Sequence, residues 1–144
     1  LNDGASAVLL ANAEYAKQQG WEILAYVEDY CTSGVEPERV MSAPIPAVKM
    51  LLERNQLDVL DVDIYEHNEA FASASCAVAQ ELNIPEDRFN LHGGAVSLGH
   101  PLGSSGTRCL ITLLGVMRSC EANSGIVPLC LVGGTAVAML IRRS

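Results

Sequence analysis

The sequence is poor in positive charge. It carries 9 Lys and Arg against 17 Asp and Glu, a formal net charge of −8 at pH 7. Nucleic acid and anionic lipid select basic surfaces, so both are excluded as partners on charge. No apolar run reaches the roughly 20 residues that a membrane-spanning helix needs, so no membrane segment is expected. The opening Leu1-Asn2-Asp3-Gly4 has neither a basic n-region nor an initiator Met, so it does not read as a signal peptide. Paired cysteine motifs are missing as well. Cys31, Cys76, Cys109, Cys120 and Cys130 are odd in number, include no C-x-x-C and fall mostly in apolar runs. That reads as reduced thiols in a cytoplasmic setting, most of them small core residues, rather than a disulfide framework. A metal centre built on His92, His100 and nearby thiols is disfavoured, because the spacing is not that of zinc ligands.

Phosphate-binding and serine-nucleophile signatures are also lacking. Gly94 and Gly99 have the first spacing of a P-loop, but His100-Pro101 follows with no lysine. Gly99, Gly103 and Gly106 miss the G-x-G-x-x-G dinucleotide pattern, and Gly103-Ser104-Ser105-Gly106 is one residue short of G-x-S-x-G.

What is present suits one domain. The chain has 144 residues, 49% of them apolar and 18% charged, enough for a single buried core. Residues 5–10 form a short apolar strand candidate. Residues 14–19 read as a polar helix stopped by Gly20. Residues 21–30 are rich in aromatic and β-branched types and read as a strand. Residues 31–42 read as a loop. A helix is expected over 46–54, with Pro46 in its first turn, and a brief strand over 62–65. Residues 70–82 form a helix of small residues, expected to be buried, and 84–90 a connecting loop. A helix over 107–120, apolar on nearly every side, is expected in the interior. Strands 126–132 and 136–141 flank Gly133-Gly134 as a hairpin. The expected class is α/β: a mixed, mostly parallel sheet ending in an antiparallel hairpin, with helices on both faces.

Three stretches bear chemistry. Residues 91–108, "LHGGAVSLGHPLGSSGTR", place His100 among glycines that let other groups approach, just ahead of a helix whose N-terminus favours negative charge. His100 there either activates a thiol and steadies an oxyanion, or sits in a tight turn with no chemical role. In "YEHNEAFA", residues 65–72, Asn68 reads as a helix cap or as an amide holding a water or carbonyl oxygen. Glu69 suits a helix dipole and His67 reads as structural. In "PLCLVGGTAVAML", residues 128–140, Cys130 is a core residue or, at a strand end beside glycines, a functional thiol.

Taken together, these stretches resemble the thiolases, which form or cleave 3-ketoacyl-CoA thioesters. Asn68-Glu69-Ala70-Phe71-Ala72 is similar to the N-E-A-F motif. Residues 93–106 are similar to G-G-A-x-x-x-G-H-P-x-G-x-S-G, and Cys130 with Gly133-Gly134 resembles C-x-G-G-G. Residues 1–10 resemble the start of a thiolase's second half. The resemblance implies that His100 activates a nucleophilic cysteine and contributes to an oxyanion hole. It implies that Asn68 holds the water completing that hole, and that Cys130 is the acid/base at the α-carbon. Phe71 is implied to lie near the acyl or pantetheine pocket, and Gly133 to bind substrate.

It further implies coenzyme A thioesters as substrates, with no bound cofactor and no metal. Residues 1–144 would be a C-terminal domain, excised or separately encoded. The N-terminal half, with the nucleophilic cysteine, would be a missing partner, and the lone chain would be inactive. Val132 departs from the family pattern, standing where a glycine N–H serves an oxyanion hole; its β-branched side chain narrows the site. That departure leaves a non-catalytic thiolase-fold scaffold as the alternative. An apolar helix stripped of its other half also implies self-association, as a homodimer.

Overall fold

The computed structural model describes residues 1–143. Its elements are α1 (Ala13–Gln18), β1 (Tyr26–Gly34), α2 (Pro44–Arg54), β2 (Ile64–Tyr65), α3 (Ala72–Leu82), α4 (Ala95–Leu98), α5 (Ser105–Ser119), β3 (Ser124–Leu131) and β4 (Thr135–Arg142). Short 3-10 turns cover Pro37–Ser42, Val59–Asp61, Glu86–Arg88 and Val132–Gly134. The four strands form one sheet in the order β1-β4-β3-β2.

The expected α/β class and mixed sheet hold, but the balance of directions differs. β4 lies antiparallel to both β1 and β3, and only β2 and β3 run parallel. The cause is the placement of the hairpin. β4 folds back between β3 and β1, so the 136–141 run pairs on both sides and turns the first strand antiparallel. β1 accordingly starts at Tyr26 and continues through Cys31–Gly34, residues expected in a loop, because β4 offers partners as far as Thr135.

Helices cover both faces, as expected. β3 and β4 alternate between two apolar clusters, since successive side chains on a strand point to opposite faces. Ile126, Ala136, Ala138 and Leu140 pack with Val48, Leu51 and Val78 of α2 and α3. Val127, Leu129 and Ile141 pack with Cys109, Leu113, Val116 and Met117 of α5. A strand covered on both faces reads as a continuous apolar run, and β3 does.

Four expectations are corrected. Residues 5–10 form no strand. Neither sheet edge accepts them, and Val8, Leu9 and Leu10 stay exposed. The segment is tethered instead by Ser6 Oγ, 2.6 Å from Ser104 Oγ. α5 is not interior on every side: Cys109, Leu113, Val116 and Met117 face the sheet, while Ile111 and Arg118 face solvent, because none of the described residues covers its outer side. α3 buries only Ala74, Ser75, Val78 and Leu82, its small residues fitting one close contact rather than a full enclosure. Of the cysteines, Cys31 and Cys109 are buried, Cys130 is intermediate, and Cys76, on the outer side of α3, and Cys120, just past the end of α5, are exposed.

β2 is only two residues long, so its register needs a further tie. The Asp63 carboxylate supplies it, accepting the N–H groups of Asn123 and Ser124 at 2.9 Å each and the Ser124 hydroxyl at 3.1 Å. At the other end of β3, Gly133 (φ +78°) and Gly134 (φ +85°) close the hairpin in the left-handed region. Gly134 is buried, and a β-carbon there would run into the Val35 carbonyl oxygen. Gly134→Ala should therefore destabilise the fold by about 2–4 kcal/mol. Gly115 of α5 has open space around it, and Gly115→Ala should stabilise by about 0.8–1 kcal/mol. Urea unfolding of the two variants beside the parent chain checks both signs.

Candidate active site

β2 and β3 set the site. Tyr65 pairs with Ile126, and the Glu66 N–H donates to the Ile126 carbonyl at 2.9 Å. Asn68, three residues beyond Tyr65, and Cys130, four beyond Ile126, are thus carried toward the same end of the sheet. Open α/β sheets gather ligand-binding loops at that carboxyl end.

The chain leaving β2 is unusual for its buried polar side chains. Glu66, His67 and Asn68 are all at most 2% exposed. Asn90 donates its backbone N–H to the Tyr65 carbonyl at 2.9 Å, and its side-chain oxygen accepts the His67 N–H at 2.7 Å. The Ala95 N–H donates to the Asn68 carbonyl at 3.2 Å. Residues 65–69 are thereby laced to residues 89–96. Glu69 takes a positive φ of 57° and sends its carboxylate across the same gap, accepting from Asn90 Nδ2 at 2.7 Å and from the Val96 N–H at 3.1 Å. Gly94 makes room for it: a β-carbon there would overlap the Glu69 carboxyl. Neither Asn68 nor Glu69 belongs to α3, which begins at Ala72 with Phe71 before it, so the capping and dipole roles read from local sequence are not what these residues do.

His100 lies beside Asn68. Its Nδ1 is 3.5 Å from Asn68 Nδ2 and 2.6 Å from Ser105 Oγ. Ser105 Oγ also donates to the Pro101 carbonyl at 3.0 Å. A serine has one hydroxyl proton. With that proton on Pro101, we assign the short contact to an Nδ1–H donating to Ser105, which leaves Nε2 with a free lone pair. Burial pulls the His100 pKa below 6.5, and the positive Arg108 adds to this, so the ring is a neutral base at neutral pH. A shallow cavity of about 280 Å³ opens on it, walled by residues 1–4 and 100–103.

Asn68 Oδ1 accepts from Arg108 Nη2 at 3.0 Å and from the Cys109 thiol at 3.6 Å. Arg108 Nη1 lies 3.6 Å from Glu66 Oε1. Burial pushes the Glu66 carboxyl up to about 8, against the pull of Arg108. It also pushes the Cys109 thiol up to about 12. His67, lowered to about 4 by burial, is the structural histidine expected: Ser75 Oγ lies 2.7 Å from its Nδ1, which also accepts the Glu69 N–H at 3.2 Å.

The structure thus brings Asn68 and His100 together across 32 positions. Cys130 stands at the same sheet end, its thiol raised by burial, but with no hydrogen bond to either among the described residues. Phe71 is 60% exposed, and Gly133 is exposed at the hairpin tip. Val132 is exposed too, its side chain pointing into solvent. The sequence reading missed Ser105, Arg108, Glu66 and Asn90. One signal was available. Arg108 sits in the first turn of an apolar helix, the end where the helix dipole disfavours a cation, so a specific partner is required.

A two-faced α/β domain with these loops gathered at its carboxyl end is a domain of the thiolase type. The comparisons agree. The family model described as "Thiolase, C-terminal domain" matches residues 21–143. An acetyl-CoA acetyltransferase of Cupriavidus necator is 41% identical over 143 residues, covering 99% of this chain and 36% of the relative. An acetyl-CoA acetyltransferase of Chromobacterium violaceum is 43% identical over the same shares. The crystal structure of human mitochondrial 3-ketoacyl-CoA thiolase superposes with a TM-score of 0.89 at 33% identity, over 93% of this chain and 34% of that one. The chain belongs to the thiolase family, as its C-terminal domain, and spans about a third of the length of these relatives.

The site's electrostatics are open to direct measurement. In a proton–nitrogen NMR titration, His100 should take up its proton below pH 6.5, and His67 should stay neutral to about pH 4. A His100 midpoint at or above 6.5 contradicts the neutral-base assignment.

Proposed function

We propose that the chain is the C-terminal part of a thiolase-type acyltransferase that condenses or thiolytically cleaves acyl-CoA thioesters. The pairing of Asn68 with His100, a neutral imidazole with a free Nε2, carries this reading. His100 Nε2 takes the proton of a cysteine thiol supplied by the N-terminal half, the thiolate attacks the thioester carbonyl, and the carbon–sulfur bond to CoA breaks, the departing CoA thiolate taking the proton back from His100. The asparagine amide holds a water that, with His100, stabilises the oxyanion formed later on the acetyl group. Cys130 exchanges the proton at the α-carbon. Its burial-raised pKa suits a thiol that holds a proton until the enolate needs it. Phe71 and Gly133, open on the surface, contact the acyl-CoA once the other half is in place.

The purified chain should show no thiolysis of acetoacetyl-CoA, and adding a cysteine-bearing thiolase N-terminal half should restore it. Robust turnover by the chain alone overturns this division. In the restored enzyme His100→Ala should lower kcat by about 10³-fold or more; unchanged turnover would support a non-catalytic scaffold instead. Leu9, Leu10, Leu24 and Tyr30, all exposed, support self-association of the chain. Sedimentation at high concentration should show a dimer, and a strictly monomeric profile counts against it.

A further inference from the structure

Asn68 poses a problem of orientation. The oxygen and nitrogen ends of a carboxamide are nearly the same size, so packing alone does not choose between its two flips. Only hydrogen bonds do. On the nitrogen side Nδ2 lies 3.5 Å from His100 Nδ1, whose hydrogen is given to Ser105, so no hydrogen bond fixes that end. On the oxygen side the contact is short and charge-assisted, 3.0 Å from Arg108 Nη2, with the Cys109 thiol adding a second donor at 3.6 Å. The same Nη2 reaches the Asn68 backbone carbonyl at 3.4 Å. A flipped amide would set its NH2 against the guanidinium, donor against donor.

Arg108 is itself anchored. Its Nη1 lies 3.6 Å from Glu66 Oε1, beneath a carboxyl that is fully buried. Among the described residues, neither Glu66 oxygen and neither Nε nor Nη1 of Arg108 has a hydrogen-bond partner. No directed bond joins the pair, so packing against the buried carboxyl places the guanidinium, and Nη2 is the nitrogen that makes directed bonds. A cation in the first turn of α5 works against the helix dipole, and the contacts that offset this are the backbone and side-chain oxygens of Asn68.

We propose that Arg108 is a positioning residue: anchored by Glu66, it locks the Asn68 carboxamide so that its NH2 faces the His100 side of the site. This rests on the reading of Asn68 and His100 as the groups that act on substrate. A double-mutant cycle in the enzyme restored with its N-terminal half tests it. Arg108→Met should lower kcat about 10- to 100-fold with KM held within about twofold. In an Asn68→Ala background the same change should cost less than about twofold, since there is no amide left to orient. Arg108→Lys keeps a charged donor and should recover part of the loss. If Arg108→Met does not fold, as judged by circular dichroism, Arg108→Lys is taken through the cycle, with a smaller loss that again vanishes beside Asn68→Ala. Equal losses in both backgrounds, or no loss in either, overturn the positioning role while leaving Asn68 in place. Full turnover by Asn68→Ala alone overturns the reading of Asn68, and this role with it.

Discussion

The two-residue parallel pairing of Ile64 and Tyr65 with Gly125 and Ile126 is the constraint on which the site depends. Two residues of ladder hold little by themselves. Asp63 makes the difference, because one carboxylate accepts three hydrogen bonds from the start of β3 and so fixes where β2 lies along it. A slip of one residue would turn the side chains leaving β2 to the opposite face. Glu66 would leave Arg108, and Asn68 would leave His100. The geometry of the candidate site is thus set by backbone register some distance from it, and the loops elaborate what the register places.

The cost of the arrangement is concentrated in Glu66, His67 and Asn68, three consecutive polar residues out of water. Burial without full hydrogen bonding is unfavourable, and Glu66 and His67 show it by shifting toward their neutral forms. The linkage signs are opposite. Glu66 goes from 4.5 up to about 8, so the stability it contributes is full below 4.5 and is lost as pH rises through 8. His67 goes from 6.5 down to about 4, so its contribution is full above 6.5 and is lost as pH falls through 4. No pH satisfies both groups at once. A fold selected for stability alone would fill these positions with apolar side chains; Glu66 instead lies against Arg108, whose Nη2 bonds the Asn68 amide.

The sequence makes much of this legible, for identifiable reasons. The hairpin strands, α2 and α5 follow from apolar runs bounded by glycine or proline, where local pattern and tertiary packing agree. Residues 5–10 fail because a short, mostly apolar run forms a strand only where a sheet edge will pair with it, and pairing is not a local property. The direction of β1 fails likewise: nothing between 21 and 34 says that β4 will insert beside it. At the site, His100 and Asn68 stand out through their glycine-rich and strand-end settings. Their helpers do not. Ser105 reads as one more small residue of a turn, and Asn90 as the end of a loop. The roles of both come from contacts closed over five positions in one case and 23 in the other.

The proposed sharing of the reaction with an N-terminal half fits the thiol chemistry of this chain. His100 is a base with a free lone pair, and a base of this kind is useful beside a thiol that ionises. The thiols near this end of the sheet are of the other kind. Cys109, hydrogen-bonded to the same Asn68 amide, has its pKa pushed up to about 12 by burial, so at neutral pH it keeps its proton. Cys130 is shifted in the same direction. Burial has made both into holders of protons, fit to donate a hydrogen bond or return a proton and unfit to attack. A nucleophile needs the opposite environment, partly open and next to the imidazole, and the exposed side of His100 is where a second domain can supply it.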